Sequence, residues 1–293
     1  SGIHVSNKKW QTYVFKQELV LFSKMQVLVL GSSGVIGRAT VQELRKVGHD
    51  VTEWDIALSP EHDLRVMSSL FFVLKKIDFV FFFAFDVGGS KYPTQSAQYI
   101  SNNMRLLENT FDSLRTAGVP FVHTTSQMSN MDHVPYGPLK RIAEFYTEYL
   151  GGVNVKVWNV YGPEELGSKS HVITDFIHQA KTRGEIRMLT TGEEQRQFLH
   201  ARDFARAMIH VMKHYETFKG QTVDISNYTW ISIREVADMI GDMFHVPVIP
   251  GTLQSTFQTK VNEPSRDFLF TGWKPMVSLH EGILNMTENG FLP

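Results

Sequence analysis

The chain has no cysteine among its 293 residues, which excludes disulfides, thiolate metal sites and any cysteine nucleophile or acid. It also lacks an excess of either charge. Lys and Arg number 29 against 30 Asp and Glu, for a formal charge of -1, so nothing electrostatic recommends a nucleic acid or an anionic membrane as partner. Long apolar runs are missing too. The most apolar stretch, IDFVFFFAFDVGG at 77–89, contains Asp78 and Asp86 and falls short of the roughly 20 residues of a membrane span. It reads as a buried strand. No basic start, apolar core and small-residue cleavage site follow one another at the N-terminus, so the expected compartment is the cytoplasm. The 12 histidines show no metal-ligand spacing with carboxylates, and no metal is expected.

What is present is an alternation of short apolar runs and longer segments of helical period, the pattern of βαβ units and a parallel sheet. Strands are expected at 25–31, 50–55, 78–85, 120–125 and 153–160, and helices near 35–47, 66–76, 94–117 and 136–150. The strands are rich in β-branched and aromatic residues without polar alternation, which suits a sheet covered on both faces. After YGP at 161–163 the rhythm loosens, with helices near 171–183, 201–214, 231–243 and 279–289 and a short strand pair around 186–199. The expected fold is α/β, a doubly wound parallel sheet with a smaller C-terminal lobe. Residues 25–160 would form the dinucleotide-binding domain and 161–293 mainly the substrate lobe, woven with the end of the sheet. Met25 reads as a natural start, with 1–24 an extension ahead of it, native or introduced for expression.

Gly31, Gly34 and Gly37 form G-x-x-G-x-x-G directly after the first strand and at the start of a helix. Glycines are needed there because the chain turns tightly, the backbone approaches a pyrophosphate, and the helix sits close to the strand. The helix start then offers free N–H groups and positive dipole to the phosphates. Asp55 ends the second strand 24 residues after Gly31, where an acid accepts bonds from the adenosine ribose and repels a 2′-phosphate. NAD is therefore the expected cofactor, with Arg38 the feature that argues for NADP. As an alternative, Asp55 could simply cap the loop that follows it.

Tyr136 and Lys140, in YGPLK, lie four apart and on a helix project from one face. An ammonium beside a phenol favours its phenolate, which makes Tyr136 able to exchange a proton with a substrate hydroxyl. The end of the fourth strand, HTTSQ, supplies Thr124, Thr125 and Ser126 as hydroxyl partners.

GSSGVIG at 31–37, DLR at 63–65, FAFDVGG at 83–89, HTTSQM at 123–128, YGPLK, WNVYGP at 158–163, RQFLHARDFARAM at 196–208 and TGWKP at 271–275 together resemble an extended short-chain dehydrogenase/reductase of the NAD-dependent nucleotide-sugar epimerase/dehydratase family. The resemblance covers about 25–290. It implies cofactor contacts by Gly31, Gly34, Val35, Ile36, Gly37, Asp63, Leu64, Phe83 and Ala84, and a triad of Thr125, Tyr136 and Lys140 with Ser126 as the rival hydroxyl. Ser126, Asn159, His171 and Arg196 match positions that meet the nucleotide diphosphate and its sugar, the arginine fork suiting a phosphate. A homodimer pairing the helices near 94–117 and 136–150 is implied as well. Lys156 stands where an arginine is common, and Lys260 or Arg266 stands in for another.

VGG at 87–89 and SHVITDFIHQA at 170–180 resemble the GDP-fucose synthase branch, in which His171 would be an acid for ring inversion. The cysteine paired with it there is Gln127 here, and an amide transfers no proton at neutral pH. The acids of the 4,6-dehydratases are likewise replaced, by Ser126 and Gln127. What remains is 4-epimerisation through a 4-keto intermediate, or 4-keto reduction with an external NAD(P)H. A protein that binds NAD and has lost turnover is the alternative of another class; such a chain would ordinarily have lost Tyr136 or Lys140.

Overall fold

The computed structural model describes residues 23–66, 70–87, 96–167, 170–254 and 262–288. The expected extension over 1–22, Gly88 and Gly89 of the VGG motif, and Lys260 lie outside the described residues.

The centre is a six-stranded parallel sheet of β1 (Gln26–Leu30), β2 (Asp50–Trp54), β3 (Phe79–Phe82), β4 (Phe121–Ser126), β5 (Val153–Val157) and β10 (Thr222–Ile225). Its order, β10-β5-β4-β3-β1-β2, reverses direction at β1, between β2 and β3. In open α/β sheets such a switch point opens a crevice outside the carboxyl ends of the strands. This architecture is the expected doubly wound α/β fold.

β3 shows why the sheet must be covered on both sides. Successive side chains of a strand face opposite ways, so Phe79 and Phe81, continued by Phe83 just past the strand, fall into one core while Val80 and Phe82 fall into the other. The first core is closed by α1 (Val35–Lys46) and α6 (Ala201–Lys213) through Val41, Leu44, Phe204 and Met208. The second is closed by α2 (Leu70–Leu74), α3 (Ala97–Ala117) and α4 (Tyr136–Tyr149) through Leu70, Leu107 and Phe111. A third cluster, with Ile177 of α5 (Val172–Arg183), Ile240 of α8 (Ile233–Phe244) and Ile283 of α9 (Leu279–Glu288), forms the C-terminal lobe.

Two expectations are corrected. The run at 153–160 is not one strand: it breaks at Trp158 into β5 and β6 (Asn159–Tyr161), and β6 leaves the sheet to pair with β9 (Phe198–His200). The indole of Trp158 is buried and donates to Asp224 of β10 at 3.3 Å, which holds the break in place. The strand pair around 186–199 is instead three short strands, β7 (Ile186–Arg187), β8 (Gln195–Arg196) and β9, none pairing with another. β7 joins β12 (Val248–Ile249), and β8 joins β11 (Ile231–Ser232). Two-residue strands carry too little periodicity to announce their partners.

Candidate active site

The glycine-rich turn is fixed by what surrounds it. Gly31 has φ +84°, and a Cβ there would lie 2.7 Å from the backbone nitrogen of Ala84. β1 and β3 therefore meet backbone to backbone at the switch point. A Cβ on Gly37 would overlap the carbonyl oxygen of Gly31, so α1 can start against the loop only with a glycine here. Gly34 is the N-cap of α1 and gives it no side-chain cap, which leaves first-turn N–H groups beside Val35 and Ile36 for an anion.

Asp55 has two backbone partners: Oδ2 accepts from Ser33 N–H at 3.0 Å and Oδ1 from Ala57 N–H at 2.9 Å. The acid thus braces the glycine loop and caps its own, and each oxygen retains a second lone pair for a hydroxyl. Arg38 donates to Ser33 O at 2.6 Å and to Pro163 O at 3.1 Å, so its guanidinium clamps the loop to the turn after β6. Asp63 is gripped by Arg65 through Nε and Nη2, both at 2.8 Å, which holds its carboxyl below the usual range. Leu64 is buried in the second core, and the ring of Phe83 is buried between Phe81 and Phe204.

Tyr136 opens α4 with Lys140 one turn later. Lys140 Nζ donates to Thr124 O at 3.0 Å and sits 3.9 Å over the Phe85 ring, which meets the Tyr136 ring edge-on at 5.6 Å. Beside Tyr136 stands the hydroxyl of Ser126, which favours the phenolate against burial and whose Oγ accepts from Met128 N–H at 3.1 Å. Thr125 donates to Glu144 Oε1 at 2.7 Å, on the face of α4 that carries Tyr136 and Lys140. Both rival hydroxyls therefore meet α4, Ser126 at the phenol and Thr125 at the acid. Burial raises the Tyr136 pKa despite Ser126, and burial also brings Lys140 down to about 7, opposed by the charge of Glu144. The pair therefore combines a neutral phenol with an amine poised to gain or lose its proton near neutrality.

Across the crevice, Asn159 of β6 is tied by its N–H to Gln197 O at 3.0 Å, one residue beyond Arg196, and its Oδ1 lies 3.5 Å from Gln127 Nε2. Asn159 and Arg196 are thus brought together by the β6–β9 ladder. Burial lowers the Arg196 pKa, and its Nη1 donates to Gln195 O at 2.8 Å. His171 immediately precedes α5 and pairs with Glu164 at 2.8 Å. Lys156 is paired below the sheet end with Glu144 at 3.8 Å, and Arg266 donates to Tyr228 O at 3.1 Å. Glu144, Glu164 and Gln127 were not singled out as site residues by sequence. For Glu144, spacing carried a signal: it continues the i, i+4 series of Tyr136 and Lys140 on one helix face.

The model of the NAD dependent epimerase/dehydratase family matches residues 27–226. The chain belongs to the NAD dependent epimerase/dehydratase family. It is an enzyme of that family, with NAD as its cofactor. A probable GDP-L-fucose synthase 1 of Oryza sativa subsp. japonica is 25% identical, over 88% of this chain and 90% of that protein. Among solved structures, an epimerase of Methanothermobacter thermautotrophicus superposes with a TM-score of 0.80 at 21% identity, covering 97% of this chain and 95% of the other. A UDP-glucose 4-epimerase of Thermotoga maritima does so at 0.78 and 20%, covering 90% and 98%. These likenesses are of fold. The residues fit NAD: Gly31 and Gly37 let the turn close backbone to backbone, Gly34 leaves the helix start without a side-chain cap, a carboxylate stands at the carboxyl end of β2, and Arg38 is engaged with backbone carbonyls.

Proposed function

We propose that this enzyme epimerises C4 of a nucleotide-diphosphate sugar through a 4-keto intermediate. The observation that carries the reading is the buried Tyr136 phenol, beside Ser126 and one helical turn from a lysine brought down to about 7, with the Phe85 ring against both, at the carboxyl end of β4 beside the glycine cradle. NAD, when bound, supplies a reversible acceptor for the hydride of the sugar C4. As its phenolate, which the Lys140 ammonium and an oxidised nicotinamide would favour against burial, Tyr136 takes the proton of the 4-hydroxyl and later returns it, and Ser126 holds the same oxygen. Lys140 supports the phenolate by its charge and holds the nicotinamide ribose. Arg196 and Asn159 keep the diphosphate in place while the sugar turns. Gly31, Gly34, Val35, Ile36 and Gly37 hold the pyrophosphate, and Asp55 the adenosine ribose. Residues 25–160 then carry cofactor and catalysis, and 161–293 mainly the substrate.

A second reading, 4-keto reduction, is favoured by the curated relatives, of which several carry the name GDP-L-fucose synthase. One assay separates the two: a panel of UDP- and GDP-hexoses and of their 4-keto derivatives is incubated with NAD-loaded enzyme, with and without added NADH or NADPH, and product is measured beside the absorbance of reduced nicotinamide. Epimerisation gives product with no net change. Product only with stoichiometric consumption of NADH or NADPH sinks epimerisation in favour of reduction.

The chain works as a homodimer in the cytoplasm, in the making of carbohydrate. Support for the dimer comes from α3 and α4, which expose Ile100, Met104, Ile142, Phe145 and Tyr149, the last two at 47% and 87%; apolar faces of that kind mark association surfaces. No helix among the described residues is long and apolar enough to cross a membrane.

A further inference from the structure

Glu164 is a buried carboxylate that the mechanism above does not use. It follows a turn that leans on the cofactor cradle: a Cβ on Gly162 would lie 3.5 Å from Val35 Cγ1, and Pro163 O accepts from Arg38 at 3.1 Å. From that turn Glu164 reaches the start of α5. Its Oε1 accepts from His171 N–H at 2.7 Å and from Thr174 Oγ1 at 2.6 Å, while Oε2 lies 2.8 Å from His171 Nδ1.

An ionised carboxylate only accepts hydrogen bonds, so Nδ1 must carry the hydrogen. Nε2 then lies on the far side of a ring whose side chain is 58% exposed, against 10% for Glu164. The geometry points to Glu164 as a positioning residue that locks His171 with Nδ1–H on the carboxylate and offers Nε2 to an oxygen of the bound sugar nucleotide. This rests on the reading of the chain as a nucleotide-sugar enzyme.

Capping of α5 accounts for the Oε1 contacts, since the helix has no side-chain cap from its own N-cap residue. It does not account for Oε2. The charged groups facing the imidazole among the described residues are Glu164, from the turn after β6, and Asp175, from α5 itself; both raise the His171 pKa against the opposing effect of burial. Both charges thus favour the imidazolium, the form in which Nε2 is a hydrogen-bond donor.

The decisive variant is Glu164→Gln, which keeps an oxygen to accept at the helix start and removes the negative charge. The His171 imidazole is titrated by NMR in the full NAD-loaded chain, its resonance assigned with His171→Asn. The expected result is a midpoint in Glu164→Gln that falls back toward ordinary histidine, with the melting temperature nearly unchanged. Glu164→Asp, which retains the charge, restores much of the elevation. With UDP-glucose and GDP-mannose as probes, Glu164→Gln and His171→Asn should both raise KM about 10-fold, with kcat changed less, as for the loss of one charge-assisted hydrogen bond.

An unmoved midpoint in Glu164→Gln, with only the melting temperature lowered, would reduce Glu164 to a helix cap and overturn the proposal. So would KM values left unaltered by both variants in an enzyme that turns the sugar nucleotide over. If the unaltered enzyme turned over no sugar nucleotide, the functional reading and the substrate half of the proposal would both fail. The midpoint would still decide whether Glu164 positions the ring.

Discussion

The cofactor cradle and the substrate side of the same crevice are built by opposite means. In the cradle, a few residues of one βαβ unit are fixed by backbone closeness: Gly31 against Ala84, Gly37 against Gly31 O, Asp55 on Ser33 N–H. On the substrate side, short strands from distant parts of the chain meet, and Asn159, Gln127, Arg196 and His171 are held mainly through single hydrogen bonds. Where backbone meets backbone, at Gly31 and Gly37, such a cradle tolerates no added atom, whereas a surface of the second kind can change its specificity by side-chain exchange. One fold can therefore retain a cofactor while its substrate varies.

The largest effect tests the point where the two regions meet. Tyr136→Phe removes the proton-exchanging oxygen and leaves the ring against Phe85. Turnover should fall by roughly 10²–10⁴, the range for a positioned general acid–base group, with NAD affinity little changed. Calorimetric titration with NAD beside a product assay measures both. A variant with full turnover would remove Tyr136 from the mechanism.

Within the cradle, Gly37→Ala and Gly34→Ala should separate sharply. The new methyl at position 37 meets backbone that cannot yield, and overpacking of that kind costs about 1–3 kcal/mol or more. At roughly 2–4 °C per kcal/mol for a chain of this size or somewhat smaller, the melting temperature should drop by several degrees and NAD affinity with it. At position 34 the methyl meets only Gly31 O at 3.6 Å, an ordinary contact, so the fold should keep its stability. Equal losses in the two variants would break the claim that backbone closeness defines the cradle.

Ser126 and Thr125 form a comparison on a smaller scale. Ser126→Ala removes the hydroxyl beside the Tyr136 phenol and should lower turnover about 10-fold or more, on the scale of one hydrogen bond to a charged group, with about 0.5–2 kcal/mol of stability lost with the cap on Met128 N–H. Thr125→Val removes the donor to Glu144 Oε1 and should cost about 1–3 kcal/mol of stability, because a buried acceptor loses a partner, with the smaller effect on turnover. Denaturant melts and initial rates on both variants decide it. The reverse pattern restores Thr125 to the triad.

How much of this was legible in the sequence follows the same division. The glycines, Asp55, Tyr136 and Lys140 could be read because their chemistry is local: a spacing along one strand, turn or helix is also a distance in space. Thr125 and Ser126 stayed rivals because which hydroxyl meets the phenol is set by how the end of β4 packs against α4, and both reach that helix. Glu164 escaped notice because its partner belongs to the next helix, and a lone glutamate after a turn reads as solvated surface. For Phe83 the two-residue period of β3 was legible as well: it sends the ring into the core with Phe79 and Phe81.

The smallest effect concerns a side chain that ties the two regions directly. Arg38 donates from Nη1 to Ser33 O in the cradle and from Nη2 to Pro163 O on the substrate side. Each bond is worth about 0.5–1.5 kcal/mol net, or more with a charged donor, and the second is exposed, where water competes. Arg38→Ala should therefore weaken NAD binding only about 3- to 10-fold, because the loop keeps its brace from Asp55 to Ser33 N–H. It should leave discrimination against NADP intact, since the guanidinium is committed to carbonyl oxygens and the group that repels a 2′-phosphate is the Asp55 carboxylate. Binding of both cofactors is measured on Arg38→Ala and Asp55→Ala side by side. Should Arg38→Ala spare NAD and abolish binding of NADP, the arginine is a phosphate ligand, and the clamp between cradle and substrate side is only its resting position.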